Sequence, residues 1–150
     1  MKVTIMLVGD DKTNLFVLRD TIEKSRAQTS IKSFVNNKTA LNFLKQINNA
    51  NNFQSVKVPN IILLDKNTTE KHELTFLKAF NKLKNLENKC ISIYMLCDYK
   101  LVQGMEKEEF CFKHITKPLS SKHIDKIITN YKPFLVQYDY MESDINMDIN

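Results

Sequence analysis

The stretch Pro59-Asn60-Ile61-Ile62-Leu63-Leu64-Asp65 constrains this chain more than any other. Four consecutive aliphatic residues, opened near a proline and closed by one carboxylate, have no polar face. Such a run fits a strand covered on both sides, as in a parallel sheet, better than the alternation of a half-exposed strand. A strand of this kind ends in the crevice above the carboxyl edge of the sheet, where open α/β folds keep their chemistry. Asp65 is therefore expected at the strand tip, aimed into that crevice. An isolated aspartate could equally stop the strand or cap the next segment, so the rest of the chain has to decide.

Four further runs read as strands. Lys2 to Val8 leads into Gly9-Asp10-Asp11; Ile31, Phe34 and Val35 mark a shorter one; Ile91 to Leu96 ends at Cys97-Asp98; and Phe110 to Ile115 ends at Thr116-Lys117-Pro118. Helical spacing fills the intervals. Leu15, Val17, Leu18 and Ile22 come after a cap expected at Thr13 or Asn14, and Ala40, Leu41, Phe43, Leu44 and Ile47 form a second stripe. Leu74, Leu77, Phe80 and Leu83 form a third, with Lys78, Lys82 and Lys84 outward. A short helix is expected over 101–107, and a last one, capped by Ser120 or Ser121, carries Ile124, Ile127, Ile128 and Tyr131. Five strands alternating with five helices predict an α/β fold: a flavodoxin-like, doubly wound, five-stranded parallel sheet in the order 2-1-3-4-5, with helices on both faces.

At 150 residues the chain suits one domain, expected over 1–136, with a core that needs no staples. Cys90, Cys97 and Cys111 form no C-x-x-C pair, so neither a disulfide framework nor a zinc site is expected, and a reducing cytoplasm fits best. No apolar run reaches membrane-spanning length. The net charge of +5 conceals an asymmetry. Residues 137–150 hold Asp139, Glu142, Asp144 and Asp148 without a basic residue, and are expected to be a disordered acidic tail. The body then carries +9, but 20 of its 22 basic residues are scattered lysines with no aromatic interleaving. A solvated surface explains them better than a nucleic-acid site.

The strand ends carry the chemistry. Asp10 and Asp11, Asp65, and Lys117 all lie just past strands that a doubly wound sheet brings to its centre. Carboxylates gathered in one crevice repel each other and suit a hard divalent cation such as Mg²⁺. A lysine beside them supplies a point charge able to hold a phosphoryl oxygen. A flavin-binding alternative on the same fold would need a phosphate cradle after the first strand, where Gly9-Asp10-Asp11-Lys12-Thr13 instead presents repelling carboxylates.

This arrangement resembles the receiver domain of two-component response regulators over about residues 2–132. Val8-Gly9-Asp10-Asp11-Lys12-Thr13-Asn14 is similar to that family's acidic turn, Ile61 to Asp65 to its phosphoacceptor strand, and Ile115-Thr116-Lys117-Pro118-Leu119 to its Lys-Pro segment. The resemblance implies that Asp65 accepts a phosphoryl group from a histidine kinase or phosphotransfer protein. It implies that Asp10, Asp65 and the backbone carbonyl of Asn67 hold Mg²⁺, with Asp11 a further ligand, and that Lys117 contacts the Asp65 carboxylate and then the phosphate. Cys97 falls where the family has its switch hydroxyl, and His114 where it has its switch aromatic. The protein would be a phosphoacceptor and not an enzyme in its own right, signalling to a downstream protein partner, with neither nucleic acid nor membrane involved.

The chain also departs from the pattern. Gly9 stands where the family has the first of two acids, a loss expected to weaken Mg²⁺ binding. Cys97 offers a thiol, a poor donor, in place of a hydroxyl, and Asp98 stands where a very small residue is usual. These departures favour a second reading, a pseudo-receiver that binds a protein partner without phosphorylation. Cys97 also raises the idea of a redox-sensitive thiol near Lys117.

Overall fold

In the computed structural model, residues 2–25, 28–50, 58–65, 70–97 and 113–131 are described. Five strands are β1 (Val3–Val8), β2 (Thr29–Phe34), β3 (Ile61–Asp65), β4 (Ser92–Cys97) and β5 (Lys113–Thr116). They form one sheet in the order β2-β1-β3-β4-β5, and every neighbouring pair is parallel. The expected order and direction are both found. Helices α1 (Lys12–Glu23), α2 (Asn37–Asn48) and α3 (Glu70–Asn81), and α4 over 121–131, connect and cover the strands. The helix expected over 101–107 and the tail over 137–150 lie outside the described residues.

The central strand behaves as its composition demands. All five residues of β3 are buried, and their side chains alternate between two cores. Ile61 and Leu63 join Val3, Ile5, Leu7, Leu15, Leu18, Ile22 and the α4 residues Ile124, Ile127 and Ile128 on one face. Ile62 and Leu64 join Met6, Val8, Ala40, Leu44, Ile47, Phe76 and Met95 on the other. Each aliphatic side chain taken out of water contributes about 1.5–3 kcal/mol as an upper estimate, so β3 is anchored from both sides at once.

Local signals place the helix starts. The cap of α1 is Asp11, not Thr13 or Asn14: its side chain accepts from Thr13 N at 2.8 Å and from Asn14 N at 3.3 Å. A carboxylate placed just ahead of the helix reaches two orphan amides and also suits its positive end. Asn36 caps α2 by accepting from Thr39 N. Ser120 caps α4, as expected, in a reciprocal arrangement in which His123 N donates to Ser120 Oγ and Ser120 N donates to His123 Nδ1. In α3 the buried stripe runs through Phe76 and Leu77, with Phe80 only partly covered. Leu83 is buried just beyond the helix end, ahead of an unanticipated 3-10 segment over Lys84–Lys89. Phe76, fully buried, was not part of the expected stripe; contact with α2 from the side widens the buried face.

At the opposite edge of the sheet from Asp65, a polar latch joins β1 and the segments leading into β3 and β4 to α4. Asn60 Oδ1 accepts from Thr4 N at 2.8 Å, Asn60 Nδ2 donates to the Tyr131 hydroxyl at 3.3 Å, and that hydroxyl donates to Cys90 O at 3.1 Å. Burial raises the Tyr131 phenol above its ordinary 10.0, Cys90 adding to the rise and the Asn60 bond opposing it; burial likewise raises Tyr94. A raised phenol pKa means that the folded state retains its proton longer than the unfolded chain does. The stability this contributes is complete below pH 10.0 and is lost as pH climbs through the raised value. Urea titrations between pH 8 and 11 should therefore show falling stability above about pH 10. Tyr131→Phe should cost about 1 kcal/mol at pH 8 and reduce that alkaline slope, leaving the part due to Tyr94.

Candidate functional site

The site is built at the carboxyl ends of β1, β3 and β5. β3 ends on Asp65, paired in register with Leu96 of β4. By alternation Asp65 shares with Ile61 and Leu63 the face covered by α1 and α4. It is the one buried charged side chain among the described residues, 4% exposed. A carboxylate withdrawn from water at this depth demands a partner, because its desolvation otherwise costs several kcal/mol.

That partner is Lys117. Its ammonium Nζ forms an ion pair with Asp65 Oδ1, the lysine side chain being 23% exposed and the aspartate side chain 3%. Backbone hydrogen bonding explains why Lys117 arrives there. β5 pairs Cys97 with Thr116, and the ladder continues by one bond in which Lys117 N donates to Cys97 O at 3.1 Å. The strand direction is thus held until the lysine has passed the tip of β3, and Pro118 then turns the chain toward the cap of α4. The pair joins residues 52 positions apart, so it exists only in the folded chain. The two groups singled out from sequence as acceptor and countercharge are brought together.

The remaining sequence-predicted residues divide. Gly9 lies just after β1, its amide donating to Phe34 O at 3.0 Å. A Cβ built on it would lie 3.4 Å from Asp65 Cβ and 3.1 Å from Leu15 Cδ2. Gly9 thus brings the β1 turn against Asp65, and it contributes no donor atom from a side chain. Asp10 is exposed. Asp11 is exposed and committed to the α1 cap, and Asp10, Asp11 and Asp65 do not gather: among the described residues no group of three His, Cys, Asp or Glu is placed to hold a metal ion. Cys97 is fully buried at the end of β4, its carbonyl tied to Lys117; a thiol with no exposed surface fits a packing role better than a redox-sensing one. His114 lies on β5 with its backbone in register with Met95. Asn67 and Asp98 lie outside the described residues.

Among the described residues the donors left for a divalent cation are therefore few. Asp65 is paired with an ammonium group, one oxygen of Asp11 serves the α1 cap, and Gly9 leaves a position without a side chain against Asp65. Of the described carboxylates expected to bind Mg²⁺, Asp10 and Asp65 remain.

Comparisons with known proteins give the fold an independent footing. No family model matches the sequence, and no curated protein matches it. Solved structures do match. A two-component response regulator from Cytophaga hutchinsonii superposes with a TM-score of 0.70 at 19% identity, covering 89% of this chain and 99% of that one. A phosphorylated cyanobacterial phytochrome response regulator gives 0.60 at 18% identity, covering 89% and 94%. A pilus assembly protein from Burkholderia thailandensis gives 0.65 at 10% identity, covering 87% and 98%. The chain has the fold of response regulator receiver domains, with a sequence far diverged from these examples. Among the described residues no helix is long and apolar enough to cross a membrane.

The ion pair yields a stability test. Lys117→Met removes the ammonium from the buried carboxylate and should destabilise by about 2 kcal/mol, below the range for fully buried pairs because the lysine is partly hydrated. Asp65→Asn should cost less, and adding Lys117→Met to Asp65→Asn should cost almost nothing more. Urea denaturation of the four proteins in a double-mutant cycle measures the coupling.

Proposed function

We propose that the protein is a response regulator that accepts a phosphoryl group on Asp65 from the phosphohistidine of a histidine kinase or phosphotransfer protein. The observation that carries this reading is the buried Asp65 carboxylate held by the Lys117 ammonium at the carboxyl edge of the sheet. Support comes from the receiver fold, of which the matched phytochrome regulator is a phosphorylated example. The chain is not read as an enzyme with a substrate of its own. It takes part in phosphotransfer and relays a change of state to a protein partner.

In the transfer, a carboxylate oxygen of Asp65 attacks phosphorus in line as the phosphorus–nitrogen bond of the donor breaks. The imidazole leaves with the bonding pair, and an acyl phosphate forms on Asp65. Negative charge spreads over the phosphoryl oxygens as this happens. Lys117 is already at the acceptor and can follow the charge from the carboxylate to a phosphoryl oxygen, so little reorganisation is required at the moment of reaction. Mg²⁺ at Asp10 and Asp65, with the Asn67 carbonyl, would supply further neutralisation when bound. Cys97 and His114 are the positions through which the phosphorylated state would bias a partner-binding surface, a shift between two conformations and not a new structure.

A second reading is favoured by one specific observation, the missing side chain at Gly9 beside Asp65. It is a pseudo-receiver that binds its partner without phosphorylation, and chemistry at Asp65 separates the two. Incubation with acetyl phosphate at several Mg²⁺ concentrations, read by intact mass, should give a phosphate-sized adduct on the wild type and none on Asp65→Asn. Lys117→Met should slow its formation on the order of 10²-fold. Absence of an adduct from the folded wild type, together with no response to beryllofluoride and Mg²⁺, would establish the pseudo-receiver.

A further inference from the structure

The β1 turn approaches Asp65 through the one residue type that cannot present a ligand there. A Cβ at Gly9 would touch Asp65 Cβ at an ordinary van der Waals distance of 3.4 Å, so a carboxylate carried on it would begin immediately beside the acceptor. Two carboxylates so placed would repel each other and would favour a doubly charged cation over a single ammonium group. With glycine there, that position adds no charge beside Asp65, which pairs with Lys117. The nearby acid Asp11 has Oδ1 occupied by two amides of α1. We propose that Gly9 keeps divalent-cation affinity at the Asp65 crevice low, so that the acceptor rests against Lys117 and not against a metal.

The crevice therefore differs in kind from one organised around a resident ion. Its countercharge is covalently part of the chain, present at any Mg²⁺ concentration, and the cation adds to it only when abundant. The tightest contact of an added Cβ is 3.1 Å to Leu15 Cδ2, so the buried leucine has to give by a few tenths of an ångström to admit a side chain there.

Calorimetric titration of the full chain with magnesium chloride tests this, using Gly9→Asp with Gly9→Asn as its uncharged match in size. The wild type and Gly9→Asn should bind Mg²⁺ weakly and alike, and Gly9→Asp at least tenfold more tightly. Lys117→Gln, which withdraws the competing cation without touching Gly9, should also tighten Mg²⁺ binding severalfold; it keeps the test decisive should Gly9→Asp fail to fold. A wild type that binds Mg²⁺ as tightly as Gly9→Asp, a Gly9→Asn that gains as much as Gly9→Asp, or a Lys117→Gln with no gain would overturn the proposal. The inference rests on the reading of Asp65 as the acceptor, yet the two fail separately. Tight Mg²⁺ binding by a wild type that takes phosphate defeats the inference alone. Weak binding by a wild type that takes none defeats the acceptor reading alone.

Discussion

A single buried carboxylate organises the functional end of this molecule. Asp65 is carried out of water by the strand it terminates, because Ile61 to Leu64 are locked into two cores and leave the next residue no freedom to turn outward. The cost of that burial is offset by Lys117, delivered from the neighbouring part of the sheet by the extension of the β4–β5 ladder. A buried ion pair of this sort is weak evidence for stability, since an apolar pair of the same volume often does as well. Retaining a charge at the strand tip makes better sense as chemistry: on the proposed function the carboxylate would be a nucleophile, and the ammonium a countercharge that can be handed from it to a phosphoryl group.

The two ends of the sheet are fixed by different means, and α4 connects them. At the carboxyl edge the chain passes from Lys117 through Pro118 to the Ser120 cap of α4; at the other edge the same helix ends in Tyr131, bonded to Asn60 and to the carbonyl of Cys90. Asn60 itself immediately precedes β3. The strand that bears the acceptor and the helix that comes after its countercharge are thus tied at both ends. If Asp65 takes a phosphoryl group as proposed, a displacement of Lys117 toward it would act at the start of a helix whose far end is held, the kind of constraint that turns a local charge change into a shift of packed surface.

Much of this was legible in the residues, for reasons that can be named. The uninterrupted aliphatic run of β3 can be buried only in a two-sided sheet, and parallel connections then dictate helices between strands, so the architecture and the meeting of Asp65 with Lys117 are contained in the pattern. What the pattern does not contain is competition for the same side chain. Asp11 could serve a metal or a helix, and the two orphan amides of α1, at Thr13 and Asn14, claim it. Likewise Phe76 sits off the stripe read from Leu74, Leu77 and Phe80, and is buried because α2 and the sheet together cover more of α3 than one stripe. The latch at Asn60 joins residues far apart in the chain through one amide, a contact for which no local periodicity exists. Gly9 could be seen to lack a ligand, but only the approach of its Cβ direction to Asp65 gives that absence a place.

The central claim is that the ammonium of Lys117 is held against the carboxylate of Asp65, and nitrogen-15 NMR of the lysine side chains addresses it directly. An ammonium group in a buried ion pair exchanges slowly with water and resonates apart from solvated lysines. The Lys117 side chain should give such a signal, which should vanish with Lys117→Met and merge with the solvated lysines in Asp65→Asn. A Lys117 signal indistinguishable from the surface lysines in the wild type would contradict the account.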